Sequence, residues 1–528
     1  MMTAQALVVE SVAPPLATPQ MTFMTSHLLR QVTGRLSKQL PPTALLTTCA
    51  LVMAALFYLN FALRYDLVTH STKPFQTFAT LSRFSFEGAW LYCLTFALAF
   101  ALYGFGYRFG ARRLRHPRAA ALILGLSGLA HAALLPMYPL DATDVYDYII
   151  RARMTAVYGM NPFRDVPRQL PDDPFYRFVG WKNVPSAYGG AWELIAALTT
   201  RLAGEDALTN VLAFKGLAAL GSLIGALGVY SALMHSAPRR AIGGMYLFAL
   251  NPLLIYMTAG RAHNDSLMIA CLAWSLAFLA RRQYVASLLS LLFGALIKFI
   301  PLMLMPIVAI VAWHQVHPTE RLRVFALSAL LGAALCYAAY APFWFGIETL
   351  RAERRASMYS GSLPTVIRQL IAPVLDGKNA ETWWIATPNT NALLANSTLL
   401  LFAICYGAAL WQVVRAGASL AQALRSMTYI LFAYLLIAAL WFMAWYALWL
   451  LPSAALLPRS PLRKAALWFT YLVTWQGLLY NYVTLRPGAW MPSPWRDLLP
   501  VLSYMPPIWL MLGSHLWQQA RARRGAKG

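Results

Sequence analysis

The stretch DATDVYDYIIRARMTAVYGMNPF, residues 141–163, places three aspartates within seven positions of a chain that has only 19 Asp and Glu among its 528 residues. From Asp144 to Val157 the residues follow helical periodicity. Asp144, Asp147, Arg151 and Thr155 share one face, and Val145, Tyr148, Ile149, Ala152 and Ala156 share the other. The pattern predicts an amphipathic helix with its acids turned to water or to a cavity. Gly159 suits the position after the last turn, and Asn161-Pro162 cannot continue a helix. A carboxylate held this way can take a proton from a hydroxyl. The same residues can also be structural, with Asp144 or Asp141 capping the helix and Asp147 with Arg151 as an ordinary i,i+4 pair.

Other places also gather reactive groups. His263-Asn264-Asp265 stands inside NPLLIYMTAGRAHNDSLMIA, residues 251–270, where Asn or Asp could cap the next helix. Lys298 interrupts the apolar run ALIKFIPLMLMP and is followed by Pro301. A lysine at the centre of one continuous span costs roughly 2.5–3.5 kcal/mol, so the chain is read as breaking there at the outer surface. Glu193 and Lys215 are similar cases with less support. Residues 351–391 mix Arg354, Arg355, Ser, Asn, Trp383 and Trp384, a combination that suits sugar stacking and hydroxyl recognition as well as an interfacial aromatic belt.

The elements that must position these groups are membrane helices. Hydrophobic residues make up 59% of the chain and charged residues 12%, and apolar runs of about 20 residues recur throughout. The formal charge of +24 falls in short Lys/Arg clusters between these runs, which argues for membrane orientation and against nucleic-acid binding. Cys49, Cys93, Cys271, Cys336 and Cys405 lie in apolar segments without metal or redox spacing. The fold class is all-α, a polytopic transmembrane bundle of about 12–14 spans. These are placed near 44–63, 88–107, 119–138, 207–233, 241–258, 265–280, 284–297, 299–313, 323–345, 392–413, 426–443, 445–457, 465–483 and 498–517. Residues 1–40 and 521–528 read as cytoplasmic tails around one membrane domain, 41–520. RFGARRLRHPR and the later basic clusters fall on the cytoplasmic side, which leaves outer loops at 139–206 and 346–391. That assignment requires 188–204 to be a helix that lies at the outer interface or re-enters.

The ordered set of motifs resembles the GT-C glycosyltransferases of cell membranes, especially the polyprenyl-phosphate-mannose-dependent mannosyltransferases. DVYDYIIRARMTAVYGMNPF looks like their first outer loop; Asn251-Pro252, His263-Asn264-Asp265, Lys298 with Pro301, and WYALWLLP with Trp445, Tyr446 and Pro452 follow in matching order. The resemblance implies an inverting transfer of a hexose, most plausibly mannose, from a polyprenyl-phosphate donor to a lipid or glycan acceptor at the outer face. One departure is Thr143, where the family often has a second acid beside the first, so Asp141 is the substitute. In this reading Asp144 is the base and Asp147 is more structural. The donor and acceptor contacts fall to Tyr148, Arg151, Arg153, Asn161, His263, Asn264, Asp265, Lys298, Arg354, Arg355, Trp445 and Tyr446. One base suffices because a phosphate leaves as a stable anion. No cofactor or metal is assigned, although a divalent ion beside Asp144 is compatible with the wider superfamily. The alternative is a lipid-linked saccharide transporter or flippase, which would string ionisable groups along a mid-membrane path in repeated halves.

Overall fold

The apolar runs fold as helices, and no strand forms among the described residues. The computed structural model describes residues 40–71, 76–141, 143–350, 359–375, 388–484 and most of 498–514. Arg354, Arg355, Trp383 and Trp384 lie outside the described residues.

Among the described residues, six helices are long and apolar enough to cross a membrane alone: Pro42–Ala62, Phe86–Arg113, Ala207–Ser236, Pro318–Phe343, Thr390–Arg415 and Leu420–Ala438. A seventh passage is the pair Pro238–Ala249 and Pro252–Gly260, bent by 45°. The bend falls where Pro252 lacks an N–H and the Asn251 side chain accepts from Leu253 N and Leu254 N instead. The predicted 12–14 spans thus resolve into six or seven full-length passages and a set of shorter apolar helices, among them Arg118–Ala132, Asp265–Ala280, Tyr284–Ile297 and Ile300–Gln315. A 14-residue helix rises about 21 Å, less than the ~30 Å hydrocarbon core, so such helices need the bundle around their ends.

The Ala207–Ser236 helix, 30 residues long, is the spine of the bundle. It runs parallel to Asp265–Ala280: Gly221 lies against Ser266 and Leu267, and Gly228 against Ala273 and Trp274. A Cβ at Gly228 would sit 3.0 Å from the Ala273 and Trp274 backbone, the close approach that small residues permit between membrane helices. Both helices finish at basic residues, Arg239 and Arg240 after one and Arg281 and Arg282 after the other. Lys215, fully buried, donates to the carbonyls of Leu134, Leu135 and Met137 and so closes the end of the Arg118–Ala132 helix.

The loop helix forms at Asp144–Ala156, and Gly159, at φ +64°, turns the chain at its end. Its surroundings correct the expectation of a water-facing acidic side, because every residue from Val145 to Met154 is buried. Residues 158–189 fold back as a roof with short 3-10 turns at Pro167–Gln169 and Tyr176–Phe178. Arg153 is drawn into that roof by Asp173 at 2.7 Å and also pairs with Glu205, beyond the next helix, at 2.8 Å. The expected second loop helix is Gly190–Ala203. Just before it, Gly189 N donates to Ile297 O at 3.1 Å, and a Cβ at Gly189 would lie 2.0 Å from Leu296 O, so only glycine allows this clasp.

Candidate active site

Asp144 is the first residue of the loop helix, a position where the helix dipole favours a negative charge. It does not cap that helix, and neither does Asp141: the N-cap Thr143 has no side-chain cap bond. Asp141, with φ at +57°, instead accepts from Phe78 N at 2.8 Å. The Asp144 side chain is 18% exposed, and its Oδ2 lies 3.5 Å from Nδ1 of His263, whose side chain is fully buried.

His263 reaches Asp144 because the chain makes a tight turn between the π-helical turn Tyr256–Gly260 and the Asp265–Ala280 helix. Ala262 takes a left-handed φ of +59° in that turn, and Asn264 forms no side-chain cap. His263, Asn264 and Asp265 are therefore aimed into the protein. The His263 ring stacks on Trp445 with centroids 3.9 Å apart. Asn264 Oδ1 accepts from Tyr148 OH at 3.4 Å, and Tyr188 OH stands 3.4 Å from Tyr148 OH. Among the described residues, Asn264 Nδ2 and His263 Nε2 are buried without a hydrogen-bond partner.

Asp265 and Lys298 form the second half of the site. The Tyr284–Ile297 helix stops at Lys298, which is extended, and a new helical turn starts at Ile300, so the sequence-predicted break is present. Lys298 Nζ lies 2.9 Å from both Asp265 oxygens, and Trp449 Nε1 donates to Asp265 Oδ1 at 2.6 Å. Tyr446 stacks on Trp449 at 4.3 Å and lies 5.2 Å below the Lys298 ammonium. The 3-10 helix Ala444–Leu450 thus supplies an aromatic wall with Trp445, Tyr446 and Trp449.

Other expected contacts are placed elsewhere. Arg151 donates to Trp181 O at 3.2 Å and Val184 O at 2.9 Å, and Asp147 Oδ1 accepts from Trp181 N at 3.0 Å, so this pair holds the roof. Asn161 Nδ2 donates to Phe343 O at 2.7 Å, tying the roof to the end of the Pro318–Tyr340 helix. Burial raises the Asp147 carboxyl to about 6, against the pull of Arg151 and with a further push from the Asp144 charge. Burial also raises Asp141, with Arg261 opposing it. His263 is held below its ordinary value by burial, partly offset by Asp144.

One cation in the site has no counterpart among the residues singled out by sequence. Arg261 is 6% exposed, lies 5.7 Å over the Trp445 ring and, among the described residues, has no carboxylate within ion-pair distance. Among the described residues its one hydrogen-bond contact is with Met257 Sδ at 3.7 Å, and its Nε has none. Trp449 and Tyr188 were equally unmarked. Asp144 and His263 supply one oxygen and one nitrogen donor that a metal could use, and among the described residues no third His, Cys, Asp or Glu joins them.

The fold and this cluster define a polytopic helical membrane protein with a carboxylate–imidazole pair and cations on an aromatic wall. The chain belongs to the alpha-(1→6)-mannopyranosyltransferase family, whose N-terminal domain model matches residues 43–314, just over half of its length. The match contains Asp144, His263, Asp265 and Lys298 and ends before Trp445. Two relatives come from Corynebacterium glutamicum. Alpha-(1→6)-mannopyranosyltransferase A is 24% identical over 216 residues, 40% of this chain and 44% of that one. Alpha-(1→6)-mannopyranosyltransferase B is 32% identical over 141 residues, 25% of this chain and 23% of that one. The matched segments thus span less than half the length of these relatives.

Proposed function

We propose that this protein is an inverting mannosyltransferase that moves mannose from a polyprenyl-phosphate donor to a hydroxyl of a lipid or glycan acceptor at the outer face of the cell membrane, forming the α-(1→6) linkage that its relatives' names carry. The observation that carries the reading is the partly exposed Asp144 carboxylate held 3.5 Å from a buried His263 in the family-matched region.

In this mechanism the acceptor hydroxyl attacks the anomeric carbon from the side opposite the phosphate and gives its proton to Asp144, while the bond from that carbon to the phosphate oxygen breaks and the phosphate leaves as an anion. His263 fixes the carboxylate. Arg261, without a carboxylate of its own among the described residues, is the cation best placed to meet the phosphate; Lys298 shares its charge with Asp265 and orients the aromatic wall. Trp445 and Tyr446 offer ring faces for the sugar. The test is transfer of labelled mannose from polyprenyl-phosphate-mannose in membranes holding the wild type or Asp144→Asn at matched amounts. The variant is expected to lose at least about 100-fold in rate. Full activity in the variant would remove Asp144 as the base, and an inactive wild type would remove this donor.

A further inference from the structure

At the other end of the spine helix, six arginines converge on one cavity of about 300 Å³: Arg112, Arg115, Arg239, Arg240, Arg459 and Arg463. They come from three loops far apart in sequence. The offset from Gly221, level with the start of the Asp265–Ala280 helix, to Ser236 corresponds to about 22 Å of rise, so the cavity and the candidate active site are at different depths. Arg463 is buried, with one N–H on Leu457 O at 3.2 Å, and Arg240 donates to Leu456 O at 3.1 Å. Among the described residues none of the six pairs with a carboxylate. Basic loops that only orient helices need not meet; guanidinium groups gathered around a shared cavity repel one another until an anion lies between them.

The cavity also adjoins an apolar groove. Tyr107 lines both, with Arg112 and Arg463 5.9 and 5.8 Å from its ring on the polar side. The groove, about 410 Å³, runs along the bundle between Phe100, Gly104, Leu247, Leu467 and Trp468. The two spaces share helices: Gly243 and Leu247 lie one turn apart, as do Arg463 and Leu467. Trp468 is half exposed on the bundle surface, so the groove opens sideways to the surrounding chains.

We propose that this is a binding site for an anionic phospholipid, with the phosphate headgroup among the arginines and one acyl chain in the groove. Arginine's planar fork suits a phosphodiester, and the adjoining apolar channel is what distinguishes a lipid from a free phosphate. The site is separate from the mannosyl-transfer reading and does not depend on it.

The test is native mass spectrometry of the purified full-length protein in a neutral detergent, with phosphatidylglycerol, phosphatidylcholine and inorganic phosphate as probes. Wild type is expected to retain phosphatidylglycerol about tenfold more tightly than phosphatidylcholine. Replacing the exposed pair, Arg239→Gln with Arg459→Gln, should weaken phosphatidylglycerol about tenfold. Gly104→Phe, at a position where an added Cβ meets nothing within 4 Å, fills the groove without disturbing the fold and should weaken the lipid while leaving inorganic phosphate binding unchanged. Equal retention of the two lipids, or unchanged phosphatidylglycerol binding in both variants, overturns the site. Phosphate binding that is lost in the arginine variant, with no lipid retained by the wild type, overturns the lipid assignment.

Discussion

At the carboxylate end of the bundle every buried charge in the Asp265 and Arg153 clusters has a fixed partner, Lys298 and Trp449 for Asp265, Asp173 for Arg153. At the arginine end the six guanidinium groups share a cavity without any acid among the described residues. The first arrangement is what desolvation demands, because a buried ion without a partner costs several kcal/mol. The second survives because most of its charges touch the surface, where water and lipid headgroups screen them. The pairing fixes geometry around Asp265 and Arg153, whereas the arginine cluster, like the single Arg261 at the carboxylate end, is left open for an anion.

The contrast can be broken by substitution, beginning with the largest effect. Asp265→Asn leaves the Lys298 ammonium without its counter-ion and should cost about 3–5 kcal/mol of stability, whereas Arg239→Gln should stay within about 0.5 kcal/mol. Thermal unfolding in one detergent compares them, and equal losses would show that the two ends are built alike. Asp147 offers a pH test. Its carboxyl moves from 3.8 in the free group to about 6 when folded, so its contribution to stability is full below about pH 4 and is lost as pH rises through about 6. The shift amounts to about 3 kcal/mol. Asp147→Asn, which keeps an oxygen for Trp181 N, should flatten that fall and unfold at a higher temperature at pH 7. Gly189→Ala follows with an expected loss of about 1–3 kcal/mol, as its Cβ strikes Leu296 O. Unchanged melting in that variant would mean the roof is not pinned to the Lys298 break.

Local signals were the legible ones. Helical periodicity and Gly159 place the loop helix within a residue of its observed end, and a lysine before a proline marks the break at Lys298. The alternatives of capping by Asp144, Asp141 or Asn264 fail on the geometry, since none caps its helix. What the sequence hid is contact across distance. Asp147 and Arg151 look like a surface pair until the roof, which has no periodicity of its own, closes over them. Arg261 reads as one more basic loop residue, because nothing in GRAHND reveals that Ala262 turns left-handed and that Trp445 lies beneath the guanidinium. Hydropathy marks apolar runs but not how far each one extends, so the sequence did not separate the full-length helices from the shorter apolar ones.

The clasp from Gly189 to Ile297 has a consequence for anyone recombining this protein with its relatives. The loop at 139–206 and the Lys298 break are tied into one structural unit, although more than a hundred residues separate Gly189 from Ile297. A chimera that exchanges 139–206 alone would put a foreign residue against Leu296 and shift the lysine that orients the aromatic wall. Exchanges of this loop should therefore carry the 294–298 segment along with it.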